Sequence, residues 1–169
     1  PDIFVPEDTL GMTSYFKEAS LSGLILQFAF TYTDDNRPKL NNFMEMIECI
    51  RFDGGRFDIL NGFDEMLLCG MAVGARGGVG STYNYSLRTY QNIYDAFMAG
   101  DLEQARAAQQ ESVDIVHVII NHGGGIRGGK ASMKLVGIDC GDCRLPLAPY
   151  TEAEIARLDE ELRAIGFKK

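Results

Sequence analysis

Asp64 and Glu65 stand side by side after Asn61-Gly62-Phe63, where a short strand pattern gives way to a helical one. Carboxylates in the first turn of a helix lie beside backbone N–H groups that have no partner within the helix. Two of them there offer acceptors to several sugar hydroxyls, and Gly62 lets backbone approach a ligand closely. The same placement also serves plain charge matching with the helix dipole. The next junction of this kind is Gly77-Gly78-Val79-Gly80-Ser81-Thr82-Tyr83-Asn84. Its small residues clear space and Ser81 offers a hydroxyl, although a capped helix after a tight turn has the same composition.

Other patterns carry less. Gly124 to Lys130 fits GxxxxGK, the spacing of a phosphate-binding loop, but Ala131 stands where a Ser or Thr would hold Mg²⁺. The preceding segment reads as helix rather than strand, so a Gly-rich loop between two helices is the better reading. His122 to Gly125 spells HGGG, an oxyanion-hole wording, with no GxSxG nucleophile elbow to serve. His122 reads instead as the last turn of a helix, followed by Gly as C-cap. His117 and His122 share no helical face well, which argues against a metal pair. Cys140 and Cys143 form a CxxC without a second pair at zinc spacing, so they read as plain thiols, with a redox pair as the other reading. Cys49 and Cys69 sit in apolar helical patterns as small hydrophobes. This cysteine usage fits a reducing cytoplasm.

The elements that position these residues follow from periodicity. Asp2–Val5 reads as a strand end, Met12–Ala19 as a helix and Leu24–Thr33 as a buried strand. Asp34–Leu40 is a polar loop. A helix capped by Asn41 or Asn42 puts Phe43, Met46, Ile47 and Ile50 on one face, and Phe52–Arg56 is a turn. Phe57–Leu60 is a strand, Asp64 to about Val73 a helix, Gly77–Ser81 a Gly-rich strand and Ser86–Met98 a helix. Asp101 to about Asn121 is one long helix with Ala105, Ala108, Val113, Val116 and Ile120 inward. Gly123–Gly129 is a loop, Ala131–Val136 helical and Cys140–Tyr150 a linker. A final helix over Thr151–Ile165 opens on a Thr-x-x-Glu capping box, Thr151 and Glu154.

The chain has 169 residues, 46% hydrophobic and 24% charged, a globular balance large enough for a sizeable core. The net charge of −8 makes it a poor partner for a phosphate backbone, so no nucleic acid is expected. The longest uncharged stretch, Leu21 to Thr33, is too short to span a membrane. The chain opens on Pro1 rather than Met and on no signal-like segment, which suggests a processed, trimmed or engineered piece.

Strands alternating with helices imply an α/β fold with a parallel sheet. About four strands followed by three helices match the C-terminal half of a (β/α)8 TIM barrel with a helical tail. The expected division is a half-barrel over 1–100 and a helical extension over 101–169. An open half-barrel exposes strand edges and an apolar face, which predicts a homo-oligomer or pairing with a missing half-barrel.

The segment FDILNGFDEMLLCGMAVGARGGVGSTYNY, from Phe57 to Tyr85, resembles the N-acetylneuraminate lyase and dihydrodipicolinate synthase family of class I pyruvate aldolases. KASMKLVGIDCGDCRLPL, from Lys130 to Leu147, agrees with the C-terminal helices of that family, and the G-F-D-E and G-S-T-Y-N wording favours its lyase branch. The resemblance implies a full (β/α)8 barrel, a homo-oligomer, and retro-aldol cleavage of an amino sugar acid, sialic acid, to N-acetylmannosamine and pyruvate. It implies a Schiff base between a strand lysine and pyruvate, with no metal and no cofactor. It also implies sugar contacts at Gly62, Asp64, Glu65 and Ser81.

Two features depart from the family pattern. The strand expected to carry Lys-aromatic-Thr reads Leu26-Gln27-Phe28-Ala29-Phe30-Thr31-Tyr32-Thr33, with no lysine; Lys17 lies on the preceding helix and Lys39 in a polar loop. The Tyr-x-Ile-Pro motif is matched only by Ile3-Phe4-Val5-Pro6, without the proton-shuttling Tyr. The chain alone is therefore expected to be inactive, and a non-catalytic or engineered half-barrel scaffold that oligomerises is the alternative.

Overall fold

The computed structural model describes residues 26–28 and 42–167. The readings for Asp2–Val5, Met12–Ala19, Asp34–Leu40 and the flanks of the Leu24–Thr33 strand lie outside the described residues. Strand β1, Leu26–Phe28, pairs in parallel with β2, Ile59–Asn61, in the register Leu26 to Ile59, Gln27 to Leu60 and Phe28 to Asn61. Between them runs helix α1, Asn42–Arg51, followed by a 3-10 turn over Phe52–Gly55. Met46, from the expected inner face of α1, is buried with Phe57, Ile59 and Ala75, and Ile50 packs against this group. Phe43 and Ile47 are half-buried.

The second strand begins later than expected: Phe57 is buried but precedes it. The Gly77–Ser81 strand contracts to one parallel bridge, Gly78 with Asn61. Asn61 N–H donates to Gly77 O at 2.9 Å and Val79 N–H donates to Asn61 O at 2.9 Å. Three glycines in five residues leave few side chains to pack on the pleat, so pairing does not extend beyond the single bridge at Gly78. The described residues thus hold two strands and a bridge, a parallel arrangement consistent with part of a barrel.

The Asp64–Val73 helix is split into a 3-10 turn, Asp64–Met66, and helix α2, Leu67–Ala72. Helix α3, Tyr83–Met98, starts three residues earlier than expected and kinks at Ser86, whose φ is −132°. Helix α4, Leu102–Asn121, is capped by Asp101, whose carboxylate accepts from Gln104 N–H at 3.0 Å. Its inner face is Ala105, Ala108, Ser112, Ile115, Val116 and Ile119. Ile120, expected inward, is 54% exposed, and Val113 is half-buried. The apolar pattern alone gave no weight to Ser112, which is fully buried because its hydroxyl is hydrogen-bonded at both Gln109 O and Gln109 Nε2.

The predicted loop at Gly123–Gly129 is helical: α5 runs Gly124–Leu135. Glycine disfavours helix by about 1 kcal/mol per residue, but packing offsets this here. A Cβ on Gly128 would lie 2.8 Å from Ile119 Cγ2 and 3.0 Å from Ile119 O, so its absence lets α5 press on the backbone of α4. Gly129 rests on the ring of Tyr85. The linker after α5 includes a cis Leu145–Pro146 bond and leads to α6, Glu152–Ala164. The main core joins Tyr85 of α3, Ile115 and Ile119 of α4, Ala131 of α5, and Leu158, Leu162 and Phe167 at the end of the chain. A second core holds Leu67, Met71, Tyr90, Ile93 and Ala108. Among the described residues no helix is long and apolar enough to cross a membrane.

The capping box forms as read. Thr151 N–H donates to Glu154 Oε2 at 2.8 Å and Glu154 N–H donates to Thr151 Oγ1 at 3.3 Å. Arg127 of α5 adds a 2.9 Å ion pair to Glu154 and lies over the Tyr150 ring. The Thr151 N–H first, then Arg127 and the Thr151 hydroxyl, pull the Glu154 carboxyl from 4.5 down to about 2. A carboxyl lowered by folding stabilises the fold fully above its unfolded value and loses that contribution as pH falls through the folded one. The start of α6 is therefore expected to loosen between pH 4.5 and about 2. Amide exchange at Glu154 and Ile155 against pH checks this, and Glu154→Gln should flatten the profile.

Candidate functional site

The site forms where β2 and the Gly78 bridge end. Asn61, only 1% exposed, closes β2 and donates from Nδ2 to Phe63 O at 2.6 Å, which turns the chain into the Asp64–Met66 segment. Gln109 of α4 ties this segment down: its Nε2 donates to Asp64 O at 3.3 Å and its Oε1 accepts from Leu68 N–H at 2.8 Å. The backbone at Asp64 is thus fixed by a residue far along the chain.

The Asp64 side chain, 6% exposed, crosses to the neighbouring loop. Its Oδ2 accepts from Thr82 N–H at 3.0 Å and from Thr82 Oγ1 in a very short contact. Thr82 Oγ1 is also hydrogen-bonded to Tyr90 OH at 2.5 Å. Oδ1 lies against the Cα of Gly80, where any Cβ would overlap it. Hydrogen bonds to a charged group are the strong ones, and a buried carboxylate needs them to offset lost hydration.

Around this brace the other expected site residues are more open. Gly62 and Glu65 are half-buried and Ser81 is exposed. Burial first, then the neighbouring Asp64 charge, push the Glu65 carboxyl above the ordinary range, while its own backbone N–H and His117 pull the other way. Tyr83 packs against Tyr90 with ring centroids 4.0 Å apart and planes tilted by 30°. The hydroxyls of Tyr83 and Tyr85 are buried without a hydrogen-bond partner, and burial raises both phenols above their ordinary value. The region therefore presents the half-buried Glu65 carboxyl, the half-buried Gly62 and the exposed Ser81 hydroxyl beside the buried Asp64, Thr82 and Tyr90.

Of the four residues singled out from sequence, Asp64 is joined to the Ser81–Thr82 loop directly, and Gly62 and Glu65 flank it on the same turn. Thr82, Tyr90 and Gln109 were not legible as site residues. Thr82 sits in the G-S-T-Y-N run beside the hydroxyl of Ser81, Tyr90 lies inside an expected helix, and nothing local connects Gln109 to Asp64.

The other patterns resolve into packing. Lys130, last residue of the GxxxxGK run, donates to Cys140 O at 3.0 Å, Gly141 O at 3.3 Å and Asp142 O at 3.0 Å, and helix rather than strand precedes the run. The helix α4 ends at Asn121, so His122, read as part of its last turn, is instead its C-cap, and Gly123, read as the cap, follows with φ of 101°. The His122 Nε2 pairs with Glu161 at 2.9 Å, and its carbonyl accepts from Tyr150 OH, so HGGG joins α4 to the chain's end.

The chain is similar to known proteins over much of its length. The Dihydrodipicolinate synthetase family matches residues 39–165. The N-acetylneuraminate lyase of Gallus gallus is 36% identical over 126 residues, covering 73% of this chain and 41% of the relative. The N-acetylneuraminate lyase structure from Proteus mirabilis superposes with a TM-score of 0.70 at 36% identity, over 75% of this chain and 42% of that one. The corresponding structure from Aliivibrio salmonicida gives 0.72 at 34% identity, over 88% and 45%. The chain thus spans less than half the length of these relatives.

Proposed function

The chain belongs to the Dihydrodipicolinate synthetase family, a family of (β/α)8 barrels, and from that premise we propose that it forms the sugar-side wall of an N-acetylneuraminate lyase-type pocket. The observation that carries this reading is the buried Asp64 at the end of β2, bonded to Thr82 and bringing the Gly62–Glu65 turn beside Ser81. In this reading Glu65 and Ser81 offer hydrogen bonds to the hydroxyls of an amino sugar, and Gly62 keeps the backbone open to it. In this reading the half-barrel ends near residue 100 and the helical extension follows it, the two packing together where Ala108 meets Tyr90 and Ile93.

The retro-aldol step needs a primary amine that is unprotonated when it attacks pyruvate, which demands a desolvated lysine. The Leu26–Thr33 stretch has none. The chain by itself is therefore inactive in this reading. Activity requires a polypeptide that supplies the amine and the pyruvate-carboxylate contacts. The four free cysteines support a reducing, cytoplasmic setting.

Titrating the isotopically labelled chain with N-acetylmannosamine tests the sugar-side role. Amide shifts at Asn61–Glu65 and Gly80–Asn84 are expected, and Glu65→Gln or Ser81→Ala should each weaken binding roughly 3- to 10-fold. An absence of shifts in these two loops would contradict it.

A second reading, a non-catalytic scaffold that associates, is favoured by Leu87, Tyr94 and Met98, which lie 53%, 40% and 65% exposed along α3. Sedimentation equilibrium should find a homo-oligomer, or a complex when a complementary half-barrel is added. A monomer at high concentration that binds no such half would exclude it.

A further inference from the structure

We propose that Tyr90, acting through Thr82, is a positioning residue for the Asp64 carboxylate, and so for the ligand-facing Gly62–Glu65 turn. This deepens the sugar-side reading and rests on it for its functional part.

The argument begins with donor counting. Thr82 has one hydroxyl hydrogen, and it goes to Asp64 Oδ2. Thr82 Oγ1 lies 2.5 Å from Tyr90 OH. With its own hydrogen already committed, Oγ1 can only accept there, so Tyr90 must be the donor. The order Tyr90 to Thr82 to Asp64 is thereby fixed in direction. Each O–H polarises the next, which strengthens a chain of hydrogen bonds in a low-dielectric interior.

The surroundings leave this chain no alternative arrangement. Tyr90 is 2% exposed, Thr82 5% and Asp64 6%, so water does not replace a missing member. The Tyr90 ring is held by Tyr83 on one side and shares a core with Leu67, Met71, Ile93 and Ala108. Gly80 closes on Oδ1, and Thr82 N–H holds Oδ2 from the backbone side. The carboxylate is thus clamped from helix α3, while Gln109 clamps the Asp64 carbonyl from helix α4. Contacts from two helices thus hold the Gly62–Glu65 turn in place.

Three variants and two measurements test this. Tyr90→Phe removes only the terminal donor, Thr82→Val removes the relay at constant shape, and Thr82→Ser keeps it. The first measurement is the resonance of a ¹³C label at Asp64 Cγ in the full chain. It is expected to move in Tyr90→Phe, to move further in Thr82→Val and to return in Thr82→Ser, with amide spectra showing the fold retained. The second is affinity for N-acetylmannosamine, expected to fall about 3- to 10-fold in Tyr90→Phe and Thr82→Val and to recover in Thr82→Ser.

An unmoved Asp64 resonance in both Tyr90→Phe and Thr82→Val overturns the positioning role, whatever the sugar does. A resonance that moves as expected in a chain that binds no N-acetylmannosamine upholds the Asp64 chain and overturns the sugar-side reading. Equal sugar affinity in all variants, with the wild type binding, overturns the link between Tyr90 and the ligand.

Discussion

Gly80→Ala is expected to lower stability by about 3 kcal/mol and to abolish ligand binding at the loop pair. The added methyl would occupy the position of Asp64 Oδ1. The carboxylate has nowhere to retreat, because Thr82 N–H and Oγ1 hold the other oxygen and the Gln109 amide holds the Asp64 backbone. Overpacking of this kind costs about 1–3 kcal/mol, and each charge-assisted hydrogen bond lost adds about 1.5–3 kcal/mol. Urea unfolding of wild type and variant measures the difference. An unchanged midpoint would mean that Asp64 does not lie against Gly80. Gly77→Ala is the matched control, since a Cβ there meets only Leu60 Cδ2, at an ordinary 3.7 Å.

Leu162→Ala is expected to cost about 3 kcal/mol, within the range for truncating a buried leucine. Leu162 is fully buried, one turn from the equally buried Leu158, against Ile115 and Ile119 of α4 and Tyr85 of α3. Few apolar anchors hold α6, so the loss should be local first. Hydrogen exchange is expected to rise across Glu152–Ala164 before it rises in α4. Uniform acceleration along the whole chain would show instead that α6 unfolds only with the rest of the molecule.

Much of the helical frame could be read from residue types alone. The Thr151 capping box forms as read, while Asp101, read as the first residue of its helix, is its N-cap and accepts from Gln104 N–H. The junction that Asp64 and Thr82 bridge was also visible, because a glycine, two carboxylates and a small-residue loop fall at the ends of successive strand patterns. What was not legible has physical reasons. The helix over Gly124–Gly129 defies propensity because Gly128 must meet the Ile119 backbone, a contact set by tertiary packing. The face of α4 was misplaced because Ser112 is buried through hydrogen bonds rather than hydrophobicity. The Gly77–Ser81 strand was too generous because backbone pairing there reaches only one bridge. Tyr90 and Gln109 were missed because residues that act through a second residue leave no local pattern; their partner Asp64 lies 26 and 45 positions away.

The central claim is that this chain keeps the wall that meets the sugar and lacks an amine able to capture pyruvate. Incubation of the isolated chain with pyruvate and borohydride, followed by intact-mass measurement, tests it most directly. The account predicts a mass unchanged from the untreated chain. A reduced pyruvate adduct on any lysine, Lys17 and Lys39 included, would contradict it.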